Sequence, residues 1–335
     1  MRLVRAQSPV RDRRRRLRHH PSDARGNATT PRRWASGDRL WWPAAPLASG
    51  AVIRLEAATV LLQWAVGGMA FCWFTTRRRE VGLGYGWLLR AVYASLAIAA
   101  GVVGIGLDDN PVRDVAALAT GLSCAGVLAV SVIRRRAGVS GQRTEHDRRT
   151  ERVAAMTGIE RDVAARHAGG DEFPPTLDLV PVAIGLVGLL AAGVDTDGNV
   201  AVSLVRVVAG AAFLGAVTDA MLLGHWYLVQ PGLPRGLLHE LINALGVVWP
   251  IEVIAMLLPT GMISVWAGSV DDGWGGTLGW FWAACAVTTI ILVGVTKAAL
   301  REKEYSAVMA ATGLLYLAIL TAFGTDLVAR AVLSA

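Results

Sequence analysis

Apolar runs of about 20 residues recur along the chain, separated by short charged turns, and that rhythm predicts the fold. A run of this length crosses a hydrocarbon core of roughly 30 Å as an α-helix. Eight spans are predicted, at about Leu55 to Thr76, Tyr85 to Leu107, Val115 to Ile133, Leu179 to Val194, Val202 to Val229, Gly236 to Leu258, Thr277 to Leu300 and Tyr305 to Val332. The short alternating segments of a membrane β-barrel do not occur. The expected fold is therefore an all-α integral membrane protein, a bundle of about eight transmembrane helices. Residues 52–134 hold the first three spans and 179–335 the last five.

The turns alternate in charge. Arg77–Arg79, Arg134–Arg136, Arg235 and Lys297–Lys303 are basic, whereas Asp108–Asp109, Asp195–Asp197 and Asp271–Asp272 are acidic. The positive-inside rule puts the basic turns in the cytoplasm and both ends of the bundle on the outer side. The one sizeable polar loop, 135–178, then lies inside. Val153, Met156, Ile159 and Val163 recur there at helical spacing, which suits a short amphipathic helix on the inner surface, although a solvated, charge-rich helix is the plainer reading. The run GGDEFPP ends it. Gly82-Leu83, Gly86 and Leu88 in the first inner turn align with Gly232-Leu233, Gly236 and Leu238 in the third. A parallel duplication of four plus four helices would produce that echo, although chance matching among such common residues is the plainer explanation.

Residues 1–51 break the pattern. They carry twelve Arg and three Asp, a net of +9, whereas the whole chain is +7, so the remainder is −2. Rich in Arg and Pro and without periodicity, the segment reads as disordered. It suits a basic tail for lipid head groups or nucleic acid. As a targeting segment it lacks an apolar stretch behind the basic cluster. A third reading takes it as a mis-assigned start, with Val52 or a neighbour as the first residue. That reading is preferred, because an outside N-terminus would otherwise carry twelve arginines across the membrane. The partner expected is thus the bilayer, with companions in a membrane complex as a second option and no nucleic acid.

Composition agrees with the pattern: 53% of residues are hydrophobic, and the mean hydropathy is +0.44. A large water-facing core is not expected. Cys72, Cys124 and Cys285 each lie within an apolar run and read as small packing residues. No GxxxxGK[ST] loop, strand-bound GxGxxG, HExxH or GxSxG elbow is present. The expectation is a non-catalytic protein.

Candidate chemistry concentrates in Val217 to Glu252, two spans joined by a Pro/Gly turn. Ionisable groups inside lipid are costly, so those placed there suggest function. His225 and His239 fall roughly 7 Å and 6 Å inside the ends of adjacent helices, at similar depth. They are candidate ligands for b-type haem or copper, a redox alternative. An interfacial belt with Trp226 and Tyr227 is the plainer explanation of His225, and a proton relay is a further alternative. Asp219 lies roughly 16 Å from the inner end of its span and Glu252 roughly 24 Å from that of its own. With Gln63 and Asn243 they form a candidate polar site for binding or proton handling, with Asp219 and Glu252 separated in depth by a gap that a water chain can bridge. Helix–helix hydrogen bonding is the structural alternative. Arg206, Arg330 and Asp326 fall near predicted outer ends and Arg90 near an inner end, where snorkelling to the interface is expected of the arginines. The leading functional expectation is small-solute or proton-coupled transport in a bacterial plasma membrane, or an accessory role in a membrane complex.

Overall fold

The computed structural model describes residues 56–107, 110–157, 171–195, 198–230, 232–259 and 261–333, all within the unit Ala48–Ala335. The expectations for residues 1–51, and for Ile159 and Val163, fall outside these residues. Among the described residues the chain is helical, with no strand. The long helices are α1 (Ala57–Thr76), α2 (Leu83–Leu107), α3 (Pro111–Ile133), α4 (Ser140–Thr157), α5 (Leu179–Val194), α6 (Val200–Val229), α7 (Gly236–Leu257), α9 (Thr277–Ala299) and α10 (Tyr305–Leu333). A short α8 (Met262–Trp266) follows α7. Eight of these elements, all but α4 and α8, are long and apolar enough to cross a membrane. They match the predicted spans to within four residues at either end, and the protein is a multi-pass membrane protein.

The surface supports this. Val102, Ile105, Leu122, Ile133 and Trp280 are each more than 60% exposed, whereas Gln63, Arg90, Asp219, Glu252 and Asp326 are buried among the core side chains. A water-soluble bundle would reverse that distribution. Among the turns, Asn110 caps α3 by accepting from the Arg113 N–H at 2.9 Å, with Pro111 in the first turn. Asn199 caps α6 through the Ala201 and Val202 N–H groups. Asp272 accepts from the N–H groups of Trp274, Gly276 and Leu278 at 2.8–2.9 Å and so starts α9. Burial opposes its charge, but those backbone donors outweigh it and hold its carboxyl below the usual range.

The helices form two rings of four. In the first, α1 packs on α2, α2 on α3, α3 on α5 and α5 on α1; in the second, α6 packs on α7, α7 on α9, α9 on α10 and α10 on α6. The two rings therefore have the same order of neighbours. Up-and-down connection through short turns gives this order by itself. They meet chiefly along α1 and α6. There a Cβ on Gly67 would lie 1.7 Å from the Ala211 carbonyl oxygen, and one on Gly215 2.2 Å from the backbone of Gly67. Only glycine permits this approach.

Most basic turns gather at one end. Arg77 and Arg78 pair with Glu240, and Arg235 donates to the carbonyls of Glu302, Lys303 and Glu304. α4 covers the first part of the segment expected to form an amphipathic helix. It docks on this end through the Gly141 N–H and the Arg79 carbonyl, 3.1 Å apart. Val153 and Met156 remain exposed on it.

Candidate functional site

Three of the buried polar clusters among the described residues bear on the candidate residues. Nearest the basic end, the Arg90 guanidinium meets Asp178 through Nε and a terminal nitrogen, both at 2.7 Å. Both side chains are buried, Ser131 and Thr76 add longer contacts, and the Phe173 ring lies 4.4 Å from the guanidinium carbon. The snorkelling expected of Arg90 is thus overturned. A rigid carboxylate at the start of α5, reached from α2, offers it a bidentate partner inside, which replaces the water it would seek at the interface. The strap carrying Phe173 is tied down by Glu172, which pairs with Arg79 at 2.9 Å and with Arg143.

The second cluster surrounds Asp219 at mid-bundle. One carboxyl oxygen accepts a short hydrogen bond from the Tyr93 hydroxyl, and the Asp219 carbonyl lies 3.5 Å from the Tyr85 hydroxyl. The other oxygen, Oδ2, is buried without a partner. Gly68 makes room for the Tyr93 ring, which a Cβ there would meet at 2.1 Å. Asp219 and Tyr93 come from different rings, so this contact spans the seam between them.

The third cluster lies toward the acidic end. Asp326 and Arg330 sit one turn apart on α10, with Arg330 Nε at 2.9 and 3.0 Å from the two carboxylate oxygens. Another Arg330 nitrogen donates to the Arg206 carbonyl. Gln63 donates to the Val207 carbonyl at 2.7 Å, leaving its Oε1 buried and unpartnered. Glu252 is completely buried; no fixed N–H or O–H donor reaches its oxygens, and the Asp326 carboxyl lies within hydrogen-bonding reach of it. Its electrostatic neighbours are Asp326, Arg330 and Arg206. Gly210 lets these groups converge: a Cβ there would fall 2.1 Å from Arg330, 2.7 Å from Asp326 and 3.0 Å from Gln63. Beside the cluster a cavity of about 570 Å³ opens at the bundle end, lined by Arg206, Arg330, Ser203, Asn199, Thr59 and Glu56 among others. Arg206 is fixed in its wall by donating to the carbonyls of Ala255 and Leu258, which end α7.

The candidate residues are therefore divided. Gln63 and Glu252 come together, and Asp219 stands apart in its own cluster with Tyr93. The Gly67–Gly215 crossing lies between the two levels on α1 and α6, where the backbones touch. Asn243 is exposed on the surface of α7 and joins neither cluster. His225 is exposed and contacts the Tyr316 hydroxyl of α10 at 3.2 Å, while His239 is half-buried at the start of α7, beside Glu240. Among the described residues no group of three or more His, Cys, Asp and Glu side chains is arranged to hold a metal ion. The three cysteines are buried and unbridged.

Tyr93, Tyr85, Asp178 and the paired role of Asp326 with Arg330 are additions from the structure. The last had a signal, since Asp326 and Arg330 are four apart within a span. Asp178 lies 88 residues from Arg90, and nothing local joins them.

The fold and these clusters define a class, a polytopic helical membrane protein with buried carboxyls at three depths. No known protein family, curated protein or solved structure matches the chain.

Proposed function

We propose that the protein is a proton-coupled carrier of a small solute in the plasma membrane, of bacterial type and not an enzyme. Its basic end faces the cytoplasm and both ends of its bundle face outward. The alternation of basic and acidic turns supports the orientation. The observation that carries the function is Glu252: a buried carboxyl with no donor, beside a second acid and behind an open polar cavity. A fixed ion pair needs no such arrangement. An ionised carboxylate without a donor is costly in an apolar interior, which suits a group that takes up and gives back a proton. A cavity of about 570 Å³ accommodates a small organic solute. The guanidiniums of Arg206 and Arg330 in its wall favour a solute bearing an anionic group. Asp219 serves as the second proton-handling carboxyl, nearer the cytoplasm.

Reconstitution in liposomes enclosing a pH dye tests this. With small organic anions supplied outside under an inward proton gradient, a transported solute should acidify the lumen. Glu252→Gln and Asp219→Asn should abolish the signal while leaving the protein folded. Solute uptake that ignores the gradient, or survives both substitutions, would dispose of proton coupling. The exposed Val153 and Met156 on α4 support a second reading, an accessory subunit that meets its partner on the cytoplasmic face. Deleting 144–157 should then dissociate a complex isolated from native membranes, and a complex that persists would rule this out.

A further inference from the structure

The clusters differ in how completely their polar atoms are paired, and that difference points to a specific ligand site. In the third cluster the unpaired atoms are all oxygens: Oε1 of Gln63 and both carboxyl oxygens of Glu252. They are buried, they come from α1 and α7, and they face a carboxylate that already has its own cation. We propose that Glu252 and Asp326 form a one-proton site, in which Glu252 carries the exchangeable proton and Asp326 is held by the Arg330 guanidinium. Its use in transport rests on the carrier reading above, but its existence does not.

Charge counting supports the assignment. The ionisable groups that meet here are Glu252 from α7, Asp326 and Arg330 from α10, and Arg206 from α6. From α1 comes only uncharged Gln63. α9 carries Cys285 and, at its far end, Lys297 as its ionisable groups. With Glu252 ionised, two carboxylates balance two guanidiniums and the cluster is neutral. With Glu252 protonated it holds one excess positive charge. Arg206 lies in the wall of the open cavity together with Glu56 and Asp195, so water and these acids meet the excess charge of the protonated state. A metal cation fits less well. Arg330 already occupies the cationic position on Asp326, and a second fixed cation would be repelled by both guanidiniums. A proton needs no coordination shell. On release the Glu252 O–H bond breaks, the electron pair stays on the carboxylate, and the proton passes to water in the adjoining cavity, whose wall holds Arg206 and Arg330.

Infrared spectroscopy of the purified full-length protein, stepped from acid to mildly alkaline pH without solute, tests the site. A carboxylic-acid carbonyl band should titrate as one proton per chain and vanish in Glu252→Gln. Asp326→Asn should keep the band but displace its midpoint by roughly one pH unit or more, because the facing charge is gone. Any band from Asp219 is assigned separately with Asp219→Asn. A band unaltered in Glu252→Gln would overturn the proposal, as would an unmoved midpoint in Asp326→Asn. So would displacement of the band by sodium at fixed pH, which would make the site a metal site. If Glu252→Gln fails to fold, the Asp326→Asn midpoint decides alone. A protein that passes this test yet moves no solute refutes the carrier reading and leaves the proton site standing.

Discussion

The two four-helix rings share an order of neighbours and differ in how they treat buried charge. In the first, Arg90 meets Asp178 in a bidentate pair, and Arg113 meets Asp114 at 2.8 and 2.9 Å with Thr59 alongside. Among the described residues, the two buried acids of that ring, Asp178 and Asp114, are each matched by a guanidinium. In the second, Asp326 is matched but Glu252 and one oxygen of Asp219 are not. Buried polar groups are ordinarily paired, so each exception asks for an explanation. The first ring reads as scaffold. The second, with Gln63 and Tyr93 reaching across the seam, reads as the working half. Substitutions can break or sharpen this division, because scaffold pairs should govern stability and working groups should govern protons.

The largest effect is expected at Arg90. Arg90→Met strands the Asp178 carboxylate in the interior and should cost about 3–5 kcal/mol, enough to remove the folded protein from detergent extracts. Removing the charge from both sides, in Arg90→Met with Asp178→Leu, should recover much of the loss, since an apolar pair leaves no orphan. Fluorescence-detected size exclusion after graded heating measures both. If the single substitution is as stable as the parent, the pair is not scaffold and the comparison fails. Next comes the seam. Gly67→Val drives a branched side chain into the Ala211 carbonyl and should separate α1 from α6. A loss of about 2–4 kcal/mol is expected, in the range of severe overpacking. A fully stable Gly67→Val would mean that the rings do not depend on close approach there.

How much of this was readable beforehand follows from range. The eight spans are local properties of about 20 residues each, and the eight long apolar helices follow them closely. The charge alternation was equally local. Asp219, Glu252 and Gln63 stood out because a polar residue in an apolar run is conspicuous without knowing its partners. Their grouping was not readable. Gln63 meets Val207 across 144 positions, and Tyr93 meets Asp219 across 126. Hydropathy records depth along a helix but not which way a residue faces. That is why Asn243, polar and in a span, was grouped with Glu252 yet lies on the exposed surface of α7. Arg90 was misjudged for a related reason. Its depth suits snorkelling, and only the packing of α5 on α3 and α1, with Asp178 at its start, supplies the carboxylate that keeps it inside.

A middle-sized effect should separate Asp219 from the scaffold pairs. Tyr93→Phe removes the only side-chain donor to its carboxyl among the described residues. The cost should be about 1–2 kcal/mol, that of one buried hydrogen bond with its acceptor left unpaired. The carboxylic-acid infrared band of Asp219 should move, since its carbonyl environment has changed, and Asp219→Asn should delete that band. A thermal midpoint as low as that of Arg90→Met would place Asp219 among the scaffold groups.

The smallest effect on stability, and the sharpest contrast, is expected at Glu252. In the first ring a neutralised partner strands a charge. Here Glu252→Gln replaces an acid that no fixed N–H or O–H donor reaches with an amide of nearly the same shape. Nothing paired is broken, because Arg330 keeps Asp326 and Arg206 keeps the carbonyls of Ala255 and Leu258. The thermal midpoint should stay near that of the parent, with a change of less than about 1 kcal/mol. Proton uptake and any solute-driven acidification should nevertheless be lost. Stability retained with protons lost would set Glu252 opposite Arg90, two groups equally buried and used for different ends. A collapse in stability comparable to that of Arg90→Met would instead show that Glu252 holds the second ring together, and the division between the rings would disappear.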